Sequence, residues 1–97
     1  MHRDFDLLIE ECKEHILNGN NDQAEKLAGL AFELVNNSPK VHNVLGIIAE
    51  VKRDTTLAIS HYRASLGLDA SYRPAIENLK KITTYGYYYS IENLYFD

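Results

Sequence analysis

The residue types with reactive side chains are few in this chain, and their spacing offers little for catalysis. Cys12 and His15 stand three residues apart, a spacing that on a helix places a thiol beside an imidazole and would suit a nucleophile pair. Both fall near the apolar stripe of the first segment, and no third group is recognisable to orient the base. A packed cysteine and a half-buried histidine are therefore the favoured interpretation.

Metal and phosphate chemistry find equally little support. Zinc sites on helices use histidines at i and i+4 with a neighbouring glutamate, and the chain has no such arrangement. The five glycines are scattered singly, without the clustering of a phosphate-binding loop. We therefore predict no enzymatic activity, no cofactor and no metal. The histidines are His2, His15, His42 and His61.

Length, charge and cysteine content narrow the class of protein further. A chain of 97 residues excludes a two-domain enzyme, and 45% hydrophobic residues exclude intrinsic disorder. The net charge of −4 argues against nucleic acid as a partner, and the single cysteine fits a reducing compartment. The longest apolar run near the amino end, Leu7 to Ile9, is too short for a membrane span or secretory core. We expect a cytoplasmic protein with no membrane partner.

The elements that position these residues recur along the chain at one fixed interval. Residues 18–39 can be laid over residues 52–73 without a gap, which brings Ala24 onto Ala58 and Leu34 onto Leu68. Within each unit the apolar residues have helical spacing, and short breaks rich in Asn, Asp and Ser separate the segments. Short breaks favour antiparallel neighbours. The predicted hairpins are 4–18 with 22–36, 39–52 with 55–68, and 72–85 with the residues that follow.

Local signals mark where several of these helices begin. Ser38 before Pro39 is a strong start signal, because proline is tolerated in the first helical turn. Asp22 and either Thr55 or Thr56 are candidate N-caps for the second helix of each hairpin.

The middle unit resembles a tetratricopeptide repeat. The resemblance implies a right-handed α–α superhelix of antiparallel hairpins with five to six helices, in a single domain with repeats at 5–38 and 39–72 and a partial repeat at 73–97. The first unit departs from the pattern and fits a degenerate, end-capping repeat. The residues that carry the resemblance are His42, Leu45, Gly46, Ala49, Ala58 and Tyr62.

Packing between repeats explains the glycine within the third helix. Gly46 costs about 1 kcal/mol relative to alanine, so we expect a neighbouring helix to approach it closely. Ala58 is the expected partner in that contact, with Tyr62 filling the wider gap one turn later. Leu45 and its counterpart Leu79 are expected to pack in the same layer.

The resemblance also implies a concave groove, lined by the first helix of each repeat, that holds a peptide. Some family members grip the terminal carboxylate of chaperones there. Lys13, Asn43 and Lys81 have suitable chemistry for that clamp, but apolar residues replace its other members. By periodicity, the predicted partner-binding positions are Ile9, Lys13, Lys40, Asn43, Ile47, Glu50, Glu77, Lys81 and Thr84.

Five of the seven tyrosines lie between Tyr85 and Tyr95. One interpretation is a short last helix that covers the helix at 72–85 and caps the array. Another is that this segment meets a second copy, giving a homodimer or an exchanged helix. The run Glu92 to Phe96 also matches the start of a common engineered protease site, which Asp97 does not complete. The residues proposed for this face are Tyr88, Tyr89, Ile91, Leu94 and Tyr95.

Together these features predict a module that binds a peptide or protein segment in its groove and has the capacity to self-associate through its tyrosine-rich end. One alternative is the leading segment of a larger enzyme, such as a glycosyltransferase or a methyltransferase, to which similar repeats are often fused. Another is an architectural homodimer without an external ligand, whose groove is filled by its own tyrosine-rich tail.

Overall fold

The computed structural model describes residues 2–97, with side chains from Asp4 onward. The described residues contain five α-helices and one 3₁₀ turn and no strand, which confirms the predicted all-α fold of helical hairpins. None of these helices combines the length and apolarity that crossing a bilayer requires. The helices are α1 (His2–Leu17), α2 (Asn21–Leu34), α3 (Pro39–Val51), α4 (Thr55–Leu68) and α5 (Arg73–Ile82).

From α2 onward, alternate helices begin at a constant interval. Helix α4 follows α2 by the same number of residues as α5 follows α3, which is also the step that separates Ala24 from Ala58. Short connections join successive helices, so α1 pairs with α2 and α3 pairs with α4. Helix α3 also packs on α1 and α2, and α5 packs on α3 and α4. The first helices α1, α3 and α5 therefore lie side by side.

The start of α3 follows the sequence signal, whereas two other caps differ from expectation. Ser38 accepts a hydrogen bond from the Lys40 backbone N–H at 3.2 Å, and Pro39 occupies the first turn. Helix α4 is capped by Asp54, whose carboxylate accepts from the Leu57 N–H at 3.1 Å, so neither threonine is the cap. Helix α2 begins after Asn20 instead of Asp22. In both cases the helix begins one or two residues earlier than the sequence predicted.

Helix α3 forms the centre of the core. Eight of its 13 residues are buried, because it has neighbours in both hairpins and in α5. Its start is tied to α4 by Ser65, whose hydroxyl donates to the Pro39 carbonyl at 2.8 Å. The main core cluster combines side chains of all five helices: Cys12, Ile16, Ala24, Ala28, Val44, Ile47, Ile48, Ala49, Ala58, Tyr62 and Ile82.

The close approach at Gly46 involves the ring of Tyr62. A Cβ atom added to Gly46 would lie 2.5 Å from Cε1 and 2.6 Å from Cδ1 of Tyr62, so only glycine admits the ring in this position. Ala58 is fully buried, yet it is not among the atoms nearest to that Cβ position. The expected contact between helices exists, but Tyr62 itself takes the place expected for Ala58.

The predicted last helix is wrong. Helix α5 ends at Ile82, and residues 83–97, hereafter the tail, contain no α-helix and one 3₁₀ turn, Ile91–Asn93. The hydroxyls of Thr83 and Thr84 donate back to backbone carbonyls of the last turn of α5 and compete with its continuation. Gly86 then takes a positive φ of 83°, which a helix does not accommodate. The apolar spacing of the tail resembles that of a helix, but its local chemistry ends one.

The Gly46 contact gives a direct test of the packing between α3 and α4. We expect Gly46→Ala to lower the free energy of unfolding by about 1–3 kcal/mol, because the new methyl group overlaps the Tyr62 ring. Gly29, in α2, has no atom within 4 Å of its Cβ position and is the matched control. Gly29→Ala should raise stability by about 0.5–1 kcal/mol, as alanine favours helix. Urea denaturation measures the free energy of unfolding of both variants. A Gly46→Ala variant as stable as the unmodified chain would contradict the packing of Tyr62 on Gly46.

Candidate functional site

The tail lies across the three first helices and defines the candidate site. Its tyrosine side chains begin near α3, its backbone passes α5 and α3, and its last residues reach α1. We call the surface that receives it the tail groove, defined by five polar side chains. These are Lys13 of α1, Asn43 and Glu50 of α3, and Asn78 and Lys81 of α5.

Two buried asparagines hold the backbone of one tail residue. Asn78 donates from Nδ2 to the Tyr95 carbonyl at 2.8 Å and accepts the Tyr95 N–H on Oδ1 at 3.1 Å. Asn43 donates to the same carbonyl at 2.9 Å, and its Oδ1 accepts from Asn78 at 2.9 Å. The side chains thus replace the partners that a neighbouring strand would give to Tyr95. Such contacts recognise an extended backbone irrespective of the side chain it carries.

A buried carboxylate lies beside this asparagine pair. Glu50 accepts the Tyr62 hydroxyl on Oε1 at 2.6 Å, and on Oε2 it accepts the Tyr87 hydroxyl at 2.6 Å and the Lys81 ammonium at 3.0 Å. The Glu50 side chain is 1% exposed and that of Lys81 is 15% exposed. A charge buried this deeply requires compensation, which here comes from α4, α5 and the tail together.

Lys81 joins the carboxylate to the asparagines. Its ammonium also donates to Asn78 Oδ1 at 3.2 Å and to the Asn93 carbonyl at 2.6 Å. With the Glu50 contact, all three of its protons have acceptors, two in the helices and one in the tail. Asn78 likewise uses both donors and both acceptor positions of its amide. The network is therefore complete only when the tail is present.

The tyrosine hydroxyls in this network remain protonated donors. Burial raises the pKa of Tyr62, and the negative charge of Glu50 raises it further. Burial is also the main cause that raises the pKa of Tyr87, followed by its hydrogen bond to Glu50. Tyr72, whose hydroxyl lies 3.5 Å from the Phe96 carbonyl, has its pKa raised to about 12 by burial and by the charge of Asp97. Tyrosine ionisation therefore does not release the tail near neutral pH.

The end of the tail meets α1. The Lys13 ammonium lies 5.6 Å from the centre of the Phe96 ring and 3.6 Å from Asp97 Oδ1. Phe96 borders the same cleft as Ile9 and Val44, and both Phe96 and Leu94 pack against the main core cluster. This part of the groove combines an apolar floor with a charged rim, formed by Lys13, Lys40, Asp6 and Glu10.

The start of the tail is held by a strained residue. Arg53, in the turn between α3 and α4, has φ 67°, a conformation that costs a side-chain-bearing residue about 1 kcal/mol. The corresponding position of the preceding repeat is Gly19, with φ 81°. The Arg53 guanidinium lies 3.8 Å from the centre of the Tyr89 ring. An arginine at a position that favours glycine thus provides a cation–π contact to the tail.

The structure gathers five of the nine predicted groove positions around the tail. Asn43, Glu50, Lys81 and Lys13 make the polar contacts described above, and Ile9 lines the cleft at Phe96.

The other four groove positions differ in their surroundings. Lys40 reaches the same cleft but lies 3.9 Å from Asp6, and Ile47 is fully buried in the core. Glu77 pairs with Arg73 in its own helix at 3.4 Å, and Thr84 bonds back to Lys80.

The residues proposed for self-association divide into two groups. Leu94 and Tyr95 lie in the groove of their own chain, and Tyr89 stacks on Arg53. Tyr88 is 75% exposed, and Ile91 is also exposed. They do not form one helical face, because the only helical part of this segment is the 3₁₀ turn. Of the packing positions, Leu45 and Leu79 are half-buried against the main core cluster.

Sequence reasoning missed Asn78, the residue with the most contacts to the tail backbone. A signal was present, since Asn78 lies three residues after Ala75 and four before Ile82 and so belongs to the buried stripe of α5. A buried amide in such a stripe requires hydrogen-bond partners. Cys12 is packed in the core and His15 is half-buried, as expected from the sequence. Cys12 donates to the Ala24 carbonyl at 3.2 Å, burial raises its pKa to about 12, and His15 lies near Asn20.

Known proteins offer no assignment for this site. Compared with models of protein families, with curated proteins and with solved structures, the chain gives no significant match. Within the side chains described from Asp4 onward, no group of three or more potential metal ligands comes together. His2 lies outside that range. The interpretation of the site therefore depends on its own geometry.

Removal of one hydroxyl tests the contribution of the Glu50 network. We expect Tyr87→Phe to lower the free energy of unfolding by about 1–3 kcal/mol, because it removes a hydrogen bond to a buried charge. Tyr88→Phe alters the next residue of the tail, which is exposed to solvent, and should change stability by less than about 0.5 kcal/mol. Guanidinium denaturation measures the free energy of unfolding of the two variants and of the unmodified chain. Equal effects of the two substitutions would show that Tyr87 does not bond to Glu50.

Proposed function

We propose that this chain is a protein-interaction module whose tail groove binds an extended segment of a protein. The module is non-enzymatic, and the partner is a polypeptide instead of a nucleic acid or a membrane. The tail is then an internal occupant of a site whose chemistry suits peptides in general. A cytoplasmic location and a relationship to tetratricopeptide repeats are part of the same proposal, and the constant interval between helix starts supports that relationship.

The grip of Asn43 and Asn78 on the Tyr95 peptide groups carries this proposal. A side-chain amide that pairs with both the N–H and the carbonyl of one residue requires an extended backbone, since a helix would use those groups internally. The two asparagines bond to one another, and Lys81 also donates to Asn78, so contacts among the helices already orient these amides in part. Pre-ordered donors and acceptors reduce the entropy lost on binding.

The apolar floor and the surrounding charges also suit a peptide. Side chains on either side of the gripped residue pack against the core cluster, while the residue itself directs its ring outward, with 43% of Tyr95 exposed. Backbone contacts with pockets for alternate side chains are a common arrangement for binding extended segments. Lys13 and Lys81 add cations at two points along the path.

A peptide selection tests the proposed function. The full-length chain with Leu94→Ala and Phe96→Ala has a weakened tail, and a random peptide library displayed on phage is selected on it. We expect enrichment of peptides that bind this chain. The enrichment should be lost when Asn43→Ala and Asn78→Ala are added, because the backbone grip is removed.

The matched control carries Asn37→Ala, in an exposed turn, in place of the two groove substitutions. It should retain the selected peptides, and circular dichroism checks that each variant is equally helical. Absence of enrichment on the helical chain with the weakened tail would contradict the proposal. Enrichment that survives loss of both groove asparagines would contradict it as well.

A further inference from the structure

The side chains of the bound tail indicate which residue types the groove can bind. Leu94 and Phe96 pack against the core cluster, Tyr95 is held through its peptide groups, and Asp97 approaches Lys13. Building on the function proposed above, we propose that the tail is a tethered competitor. A partner protein displaces it with an extended segment of the pattern aliphatic, any residue, aromatic, acidic.

Each position of that pattern has a separate physical basis. The first and third side chains fill half-buried apolar space, so their loss exposes the core cluster beneath them. The second side chain contributes little to recognition. In the tail it is Tyr95, whose ring is partly exposed and lies 5.7 Å, at its centre, from the Lys81 ammonium. The fourth position favours a carboxylate, because Lys13 lies within ion-pair distance of Asp97, whereas Lys40, the other cation of this cleft, is paired with Asp6 at 3.9 Å.

The tail is attached weakly at its last residue and through an exposed connection to α5. Its terminal ion pair, Lys13 with Asp97, is long at 3.6 Å, and the two side chains are 31% and 67% exposed, so it adds little stability. Tyr85 and Gly86, between α5 and the bound part of the tail, are exposed. Gly86 adopts its positive φ without strain, so this exposed connection adds no backbone strain to the bound tail. Because the tail lacks the internal hydrogen bonds of a helix and is held by contacts with the groove, it opens at lower free energy than the helical core.

A partner protein is a better occupant than a second copy of this chain. A short tether gives the tail an effective concentration on the order of millimolar, so an identical tail on a second copy cannot compete at ordinary protein concentrations. A partner segment can exceed the tail in affinity. A carboxylate placed about 3 Å from Lys13 would improve on the present 3.6 Å, and a larger side chain at the Tyr95 position has room to extend.

The test uses a labelled synthetic peptide of residues 90–97, acetylated at its amino end, as the probe. Fluorescence anisotropy measures its binding to the intact chain and to the full-length Leu94→Ala, Phe96→Ala chain. We expect the latter to bind at least about tenfold more tightly, because its groove is free for a larger fraction of the time. Tyr88→Ala, an exposed aromatic of the same tail, is the matched control and should behave as the intact chain.

Variants of the peptide test the pattern. Phe96→Ala in the peptide should weaken binding at least about tenfold, whereas Tyr95→Ala should change it less than about threefold, because that ring is largely unrecognised. Equal affinity of the intact and weakened-tail chains would overturn the proposal. Dimerisation of the intact chain at micromolar concentration, lost in Leu94→Ala, Phe96→Ala, would assign the groove to a second copy and also overturn it.

Two further results separate this inference from the proposed function. If the library yields groove-dependent peptides of unrelated chemistry while the tail peptide fails to bind, the groove binds peptides and the competitor pattern is wrong. If the weakened-tail chain is not helical, excess peptide is added to the intact chain instead. The amide resonance of Tyr95 in the chain should then move to an unstructured position, and an unchanged resonance would overturn the proposal.

Discussion

The buried carboxylate of Glu50 is the constraint on which the rest of this structure depends. An ionised group with 1% of its side chain exposed costs several kcal/mol unless hydrogen bonds and an opposite charge compensate it. Three donors do so, and each belongs to a different element: Tyr62 of α4, Lys81 of α5 and Tyr87 of the tail. The helix pair, the following helix and the tail are therefore joined at one point. Gly46 contributes by leaving the space through which the Tyr62 ring reaches that carboxylate.

Lys81 connects the buried carboxylate with the polar groups at the surface of the groove. It connects Glu50 with Asn78 and with the Asn93 carbonyl, and Asn78 in turn holds Tyr95 together with Asn43. The polar groups that compensate the buried carboxylate thus belong to the same network as the asparagines that bind an extended backbone. This coupling explains why an extended segment with a single 3₁₀ turn covers a helical array, a task that the apolar pattern assigns to a helix. An extended chain has free peptide groups to offer to the asparagines, and a helix does not.

The sequence predicts the helices well because their signals are local. Apolar spacing, the Ser38 and Pro39 start and the constant interval between helices each depend on residues within a few turns of one another or on simple repetition. Periodicity also places Asn43, Glu50 and Lys81 on the groove side, where the structure has them. Asn78 escapes this reasoning because it stands 35 residues after Asn43, one more than the repeat, and so has no counterpart of the same type.

The conformation of the tail cannot be predicted in the same way. Its apolar spacing suggests a helical face, but its backbone partners lie 17 and 52 residues away in the chain. No local pattern encodes such pairs. The clues that remain are Gly86 and the two threonines before it, which end α5, and Arg53 at a position where the first repeat has glycine.

Amide hydrogen exchange of the intact chain, followed by nuclear magnetic resonance, tests the central claim that the tail backbone is held in the groove. We expect the Tyr95 N–H, bonded to the buried Asn78, to exchange far more slowly than the N–H of exposed Tyr88. Its protection should nevertheless be lower than that of amides in α5, because the tail is released at lower free energy than the helices. Exchange of Tyr95 at the rate of an unstructured peptide, with α3 and α5 still protected, would contradict the account.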